Sequence, residues 1–253
     1  MTNVITLFGR EIPLYGLFFY LGILLAAVVA LLICKKGGLS KWEIVYSGIY
    51  SMIGALIGSK LLFILVSLKT IIEMKLSFEA IIKGGFVFYG GLLGGVLGLL
   101  IYVKQYKMKF SDFADIYSVC LTLGHAIGRV GCFFAGCCYG IPYKYGYTYT
   151  DTHGITPLGV PLLPIQLIES ACLLALFFVL LTVYLRKNPK KGTCTGVYIL
   201  SYSVVRFVLE FFRGDVERGN LWLFSTSQWI SILMFFTTLI FLFTKRQDLN
   251  SQE

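Results

Sequence analysis

The sequence is poor in charged residues, which make up only 14% of its 253 residues. A soluble domain carries about 25% charged residues and roughly 45–50% apolar ones. Here the hydrophobic fraction reaches 57%. A soluble surface cannot hide that much apolar side chain. The composition therefore excludes a soluble enzyme, a disordered protein and a nucleic-acid-binding module, and it indicates an integral membrane protein.

Other common features are also missing. We find no internal repeat, low-complexity tract or domain boundary, so we predict one membrane domain over residues 1–253. The first apolar run is too long for a signal peptide and lacks a small-residue cleavage site, so we expect no cleavable leader. The cysteines number seven, and five lie in or beside apolar runs, which argues against a secreted disulfide framework. We predict no cofactor.

Seven apolar runs are long enough to cross a bilayer, which takes roughly 17–25 helical residues. These runs cover about 12–34, 44–68, 85–103, 113–135, 163–185, 194–212 and 226–244. The sequence therefore predicts an all-α integral membrane protein with about seven transmembrane helices.

Lysine and arginine predict the orientation. With the N-terminus outside, the inner segments hold 12 of these residues and the outer segments hold 7, so we predict a cytoplasmic C-terminus. The net charge of +9 fits orientation and anionic lipid better than nucleic acid. Two outer segments are long: about 69–84 predicts an amphipathic piece at the interface, and about 136–162 predicts an ordered aromatic loop.

Ionisable residues at membrane depth cost roughly 2.5–3.5 kcal/mol each, so they mark candidate sites. His125 and Arg129 lie four residues apart and share a helix face, within a stretch of five glycines over 124–140. A packing helix whose Arg129 reaches the interface is the plainer interpretation. The glycine density favours a buried functional arginine.

Two further groups of ionisable residues lie in later spans. Arg206 and Glu210 can pair at i and i+4, and Arg213 follows one turn later. A self-neutralising ion pair is one interpretation, and the second arginine favours an anion site. Gln166 and Glu169 begin the fifth span, where Glu169 alone is explained equally well by the helix dipole.

The glycine-rich stretch 84–95 permits two interpretations, close helix packing or a cavity for a lipid tail. Cys132, Cys137 and Cys138, with His125, could supply four metal ligands. Their spacing matches no common zinc pattern, so we predict packing residues and no metal.

Motifs in order along almost the whole chain resemble the prolipoprotein diacylglyceryl transferases of bacterial membranes. The motifs are Leu14-Tyr15-Gly16, the stretch 85–95, Gly128-Arg129-Val130-Gly131-Cys132-Phe133 followed by Gly140, the stretch 164–170, the stretch 206–213 and Ser227-Gln228-Trp229. The chain departs from the family pattern at five positions: Tyr89 and Leu163 replace histidines, Cys132 an asparagine, Cys137 a glutamate and Ile168 a tyrosine. A divergent active enzyme is the main interpretation, and a paralogue with changed or lost activity is the other.

The resemblance implies a multi-pass enzyme of the bacterial plasma membrane. Its reaction would move the diacylglyceryl group of phosphatidylglycerol to the lipobox cysteine of a prolipoprotein signal peptide, releasing glycerol phosphate. The catalytic candidates are Arg129 and Arg206 as a phosphate clamp, Glu210 to orient Arg206, Tyr89 and His125. The candidates for substrate binding are Tyr15, Gly90, Gly91, Gly131, Gly140, Gln166, Glu169 and Arg213.

Two questions stay open at this point. His125 could act as the base that the family histidine supplies, or the arginine field could ionise the incoming thiol without a base. A non-catalytic or transport-type phospholipid-binding protein is the alternative function, although a carrier would be expected to show internal repeats.

Overall fold

The computed structural model describes residues 4–7, 10–75, 77–150, 156–186, 189–215 and 220–250. Nine α-helices lie within these residues: α1 (Leu14–Ile33), α2 (Lys41–Val66), α3 (Leu68–Glu73), α4 (Phe78–Lys83), α5 (Phe88–Gln105), α6 (Phe110–Ala135), α7 (Ile165–Arg186), α8 (Thr193–Glu210) and α9 (Thr226–Asn250). Three short antiparallel pairs join β1 (Val4–Leu7) to β2 (Arg10–Pro13), β3 (Pro142–Thr148) to β4 (Pro161–Leu162), and β5 (Asn220–Leu221) to β6 (Phe224–Ser225).

A long helix covers each of the seven predicted runs, and the chain is an all-α integral membrane protein. Among the described residues, six helices are long and apolar enough to cross a membrane, namely α1, α2, α5, α6, α7 and α9. The remaining one, α8, has 18 residues and includes Arg206 and Glu210, which lower its hydropathy. A crossing by α8 and the orientation of the termini stay predictions.

The chain divides into two compact units, Cys34–Phe113 and the combination of Met1–Ile33 with Ala114–Glu253. In the 34–113 unit, α2 and α5 pack through glycines. A Cβ at Gly94 would collide with the Gly54 carbonyl, and one at Gly90 with the Gly58 carbonyl. Missing side chains thus let the two backbones approach, which supports the packing interpretation of this glycine-rich stretch.

Lys60, in the middle of α2, finds hydrogen-bond acceptors for its ammonium group within the same unit. Its Nζ carries three N–H donors and lies 2.9–3.3 Å from the carbonyl oxygens of Ile81, Ile82, Gly84 and Gly85. Most of these carbonyls lie at the end of α4, where few helix carbonyls accept a bond from within the helix. The predicted outer segment 69–84 consists of the short helices α3 and α4 and the residues between them. Residue 76, in this connection, is not described.

In the other unit, Asp115 on α6 organises the start of α8. Its carboxylate, 5% exposed, accepts from the backbone N–H groups of Gly192 and Thr195 and from the Thr195 hydroxyl, at 2.8–2.9 Å. These contacts satisfy N–H groups at a helix N-terminus and favour the dipole. The helix that carries Arg206 is therefore anchored to the helix that carries Arg129.

The predicted aromatic loop 136–162 is ordered in its described part, which excludes residues 151–155. Its strands β3 and β4 pack over the end of α6 through a buried cluster of Phe133, Tyr149 and Leu162. Tyr149 donates to the Phe133 carbonyl at 3.0 Å. Burial raises the pKa of Tyr149, so the phenol keeps the proton that this hydrogen bond needs.

Candidate active site

The centre of the candidate site is Glu169 on α7. Its side chain is 3% exposed, and Oε2 lies 2.6 Å from Arg129 Nη2 on α6 and 3.9 Å from Arg206 Nη1 on α8. Three helices thus bring two guanidinium groups to one carboxylate oxygen. Glu169 therefore neutralises buried arginines, which the helix-dipole interpretation did not require. The side chain of Arg129 is only 12% exposed, so it lies within the protein and does not extend outward as the packing-helix interpretation requires.

Arg206 is held by several neighbours. Its Nη2 lies 2.7 Å from Glu210 Oε2, the i,i+4 pair expected from the sequence, and donates to Ser227 Oγ on α9 at 3.1 Å. Ser225 donates in turn to Glu210 Oε1 at 2.8 Å. This arrangement leaves the guanidinium with little rotational freedom, as a preorganised anion donor requires.

His125 and Tyr202 line the other oxygen of Glu169. Tyr202 donates to Oε1 at 3.0 Å, and His125 Nε2 lies 3.9 Å from the same oxygen. The two rings meet edge to face, with centroids 5.0 Å apart. His125 and Arg129 therefore share a helix face, as their spacing predicts.

Arg213 follows the end of α8 and pairs with Asp215 through two hydrogen bonds of 2.9 and 2.7 Å. Its Nε is 3.9 Å from Glu210 Oε2, so it extends the network. Burial alone would lower the pKa of Arg213, but Asp215 and Cys138 together outweigh this effect and raise that pKa. Arg213 thus stays charged.

The network pairs each arginine with an acidic partner, and it contains equal numbers of guanidinium groups and carboxylates. They are Arg129, Arg206 and Arg213 with Glu169, Glu210 and Asp215. Even so, Arg129 Nε and Arg206 Nη1 are buried and have no hydrogen-bond partner among the described residues. Buried N–H donors without partners are costly. An anion placed between the two arginines would satisfy both donors.

Four other candidates surround this network in the same unit. Gln166 donates from Nε2 to the Cys137 carbonyl at 2.7 Å, while its buried Oε1 has no hydrogen-bond partner among the described residues. Gly131 packs against the backbone of Tyr15, which is 45% exposed on α1. A Cβ at Gly140 would approach Leu163 O to 2.5 Å, so this glycine permits a tight backbone crossing.

Tyr89, Gly90 and Gly91 lie at the start of α5, in the other unit. Tyr89 is 42% exposed and contacts the Phe88 ring. The close approach to Gly58 explains Gly90 by helix packing. Gly91 differs, because a Cβ there would make only ordinary contacts.

The three cysteines near the end of α6 lie together. The thiols of Cys132, Cys137 and Cys138 are within 4.8 Å of one another, and His125 does not belong to this group. Cys132 Sγ lies 4.0 Å from Arg129 Nη1. Hydrogen bonds from Cys132 and Cys137 lower the pKa of the Cys138 thiol, and Arg213 adds to this effect.

Sequence reasoning missed several members of the site. The sequence singles out Ser227 only as part of a motif, and it assigns no functional role to Tyr202, Ser225 or Asp215. Ser225 also binds Gln228, whose Oε1 accepts from the Ser225 N–H at 2.9 Å at the start of α9. Asp215 could have been suspected because it follows Arg213 by two residues. Ser225 and Gln228 form a capping box at the start of α9, which is a local pattern, but no local pattern predicts the bonds of Ser225 and Ser227 to α8.

Comparison with known proteins gives a consistent result. The sequence model of the family described as prolipoprotein diacylglyceryl transferase matches residues 2–244. A phosphatidylglycerol–prolipoprotein diacylglyceryl transferase of Clostridium tetani is 37% identical, with 96% of this chain and 95% of that protein covered. Similar proteins occur in Clostridium perfringens, at 35% identity with 90% and 89% covered, and in Geobacter sulfurreducens, at 32% with 89% and 87% covered.

Proposed function

Because the chain belongs to the prolipoprotein diacylglyceryl transferase family, we propose that it transfers the diacylglyceryl group of phosphatidylglycerol to the lipobox cysteine of prolipoprotein signal peptides. The relatives are named for phosphatidylglycerol and prolipoprotein. The chain is a multi-pass protein of a bacterial plasma membrane. Donor lipid and enzyme therefore share one bilayer.

The observation that carries the proposal is the pair of arginines from different helices. Arg129 and Arg206 meet at one Glu169 oxygen, and each keeps a buried N–H without a hydrogen-bond partner among the described residues. A phosphodiester can accept both donors, and the arginine fork suits its oxygens. A headgroup held there would compete with Glu169 for the guanidinium groups.

In the reaction, the acceptor sulfur attacks the glyceryl carbon and forms a thioether. The bond from that carbon to the phosphate oxygen breaks, and its electron pair goes to the departing glycerol phosphate. Arg129 and Arg206 stabilise the charge that grows on this oxygen, which typically contributes about 10²–10³ in rate per donor. Glu210, Ser225 and Ser227 act as positioning residues for the Arg206 guanidinium.

The remaining candidates have supporting parts in this proposal. Tyr15 is exposed beside Gly131 on the Arg129 helix, where its hydroxyl can donate to a glycerol oxygen. Positive charge at the site favours the thiolate form of the acceptor, so His125 is not assigned as a base.

The test is transfer in vesicles of phosphatidylglycerol with a fluorescent lipobox peptide, read as the mass of the lipidated product. Arg129→Lys keeps the charge but loses the fork, so we expect a rate lower by about 10²–10³. Arg186→Lys, at the exposed end of α7, is the matched control and should retain the wild-type rate.

Two results would contradict the proposal. One is phosphatidylglycerol binding by the wild-type protein without any thioether product, which would indicate the phospholipid-binding alternative. The other is an unchanged transfer rate in Arg129→Lys. A peptide with serine in place of the lipobox cysteine gives the background of the assay.

A further inference from the structure

The turn that ends α6 gathers the three thiols of Cys132, Cys137 and Cys138. Gly136 adopts a φ of +65°, its N–H donates to the Phe133 carbonyl at 3.1 Å, and the Cys137 N–H donates to the Cys132 carbonyl at 3.2 Å. This is the Schellman pattern, which turns the chain back over the last helical turn. The turn places Cys137 beside Cys132. In a continuous helix, two residues five positions apart would not lie beside each other.

The turn is held in place rather than left free. Gln166, 1% exposed, donates to the Cys137 carbonyl at 2.7 Å. Cys138 has a φ of +57°, a left-handed conformation that is unfavourable for a residue with a Cβ. Such a conformation persists when the surroundings require it, so the backbone at Cys138 is specified by the fold.

Charge and softness identify a ligand for this cluster. Thiolates prefer soft ions such as Zn²⁺ or Cu⁺. Three thiolates around a divalent ion leave one net negative charge. Arg129 Nη1 lies 4.0 Å from Cys132 Sγ, and the positive charge of Arg213 acts on Cys138, so guanidinium groups are present to balance it.

We propose that Cys132, Cys137 and Cys138 form a trithiolate site for a zinc-class divalent metal ion whose fourth position takes the acceptor thiol. Zn–S bonds of about 2.3 Å require sulfurs about 3.8 Å apart, so the thiols, now within 4.8 Å, need to close by about 1 Å at most. Among the described residues, no fourth histidine, cysteine or carboxylate joins the group. Three protein ligands with one exchangeable position are typical of catalytic rather than structural zinc.

The role of the fourth position rests on the proposed transferase function. A thiol that coordinates zinc gives up its proton, which passes to solvent or to the departing phosphate. The bound thiolate then attacks the glyceryl carbon, the carbon–oxygen bond breaks, and Arg129 receives the negative phosphate oxygen. No oxidant or reductant is needed. This supplies the ionisation step at a position next to Arg129.

The first experiment measures metal binding to the reduced, chelator-treated full-length protein in detergent. We expect one Co²⁺ per chain with a thiolate charge-transfer band, and displacement by Zn²⁺. Cys132→Ser and Cys137→Ser should each weaken binding at least tenfold. Cys172→Ser, an exposed thiol outside the cluster, is the matched control and should bind as wild type. Absent binding, binding of Cu⁺ alone, or a disulfide within the cluster under these conditions would overturn the site.

The second experiment separates this inference from the transferase proposal. A lipobox peptide should alter the Co²⁺ spectrum, and its cysteine-to-serine version should not. Metal removal should lower transfer by about a hundredfold or more, and Zn²⁺ should restore it. A spectral change without any product would support the metal site and contradict the transferase function. Full transfer by metal-free protein would support the transferase and overturn the role of the fourth position.

Discussion

Glu169 provides the sharpest test of the candidate site, because both guanidinium groups depend on its charge. The Oε2 atom is 2.6 Å from Arg129 and 3.9 Å from Arg206, and Tyr202 donates to Oε1 at 3.0 Å. Glu169→Gln keeps the size of the side chain and an acceptor oxygen for Tyr202. It removes only the charge, so Arg129 loses its carboxylate partner and Arg206 keeps only Glu210.

The expected cost follows from the burial of the ion pair. Side chains of Glu169 and Arg129 are 3% and 12% exposed, so solvent screens the pair weakly. Removing one partner of a buried pair costs about 3–5 kcal/mol, because the other charge stays buried without compensation. In a chain of this size, each 1 kcal/mol lowers the melting temperature by about 2–4 °C. We therefore expect Glu169→Gln to melt roughly 6–20 °C below the wild-type protein.

An exposed ion pair of the same chain is the matched control. Glu79 pairs with Lys83 at i,i+4 on α4, with side chains 75% and 74% exposed. Such pairs contribute about 0.3–0.5 kcal/mol, so Glu79→Gln should melt within about 2 °C of the wild-type protein. The assay is tryptophan fluorescence during heating in an uncharged detergent.

Phosphatidylglycerol gives the same variant a second readout. Its phosphodiester can replace the lost carboxylate between Arg129 and Arg206, so adding this lipid should raise the melting temperature of Glu169→Gln more than that of the wild-type protein. Saturation at a hundred times the dissociation constant contributes about 2.7 kcal/mol. A Glu169→Gln protein that melts like Glu79→Gln, or that gains no more from this lipid than wild type does, would refute the shared-carboxylate reasoning.

Three further predictions test other parts of the molecule. Arg206→Lys should lower the transfer rate by about 10²–10³, and its melting temperature should stay within a few degrees of the wild-type value. A transfer rate near wild type would show that Arg206 is not part of the clamp. His125→Gln and Tyr89→Phe should both keep transfer within about tenfold of wild type, as the loss of one hydrogen bond implies; a thousandfold loss in His125→Gln alone would identify that histidine as the base. Gly94→Ala should destabilise the protein by about 1–3 kcal/mol in thermal unfolding, because its Cβ would strike the α2 backbone, whereas Gly95→Ala, with ordinary contacts, should not; equal melting of the two variants would contradict the packing.

Much of the fold could be predicted because membrane insertion is governed by local composition. An apolar run of about 20 residues is a helix wherever it crosses a bilayer, since its backbone must satisfy its own hydrogen bonds. Each of the seven predicted runs is indeed helical. The hydropathy of α8 is lower than that of the other long helices, because it contains Arg206 and Glu210. These two charged residues are explained by contacts with other segments of the chain, which the sequence of the helix does not show.

The arginines of the site were also predictable, because an ionisable residue at membrane depth is costly and therefore marks a candidate site. Their partners were less so. The i,i+4 pair of Arg206 with Glu210 follows from helix geometry alone. The pair of Arg129 with Glu169 joins α6 to α7, and its residues are 40 positions apart by their numbers. A helix dipole explained Glu169 equally well until the packing of the two helices was known.

The amino-acid sequence alone determined the class of protein, the helices and the costly residues within them, because each depends on a few consecutive side chains. Only the tertiary structure decided which of these residues meet. It joined Glu169 to two arginines, assigned Gly90 to helix packing, and brought Cys137 back to Cys132 through the turn at Gly136. Contacts of this kind depend on how helices cross and how the chain turns at their ends, which hydropathy and spacing do not record.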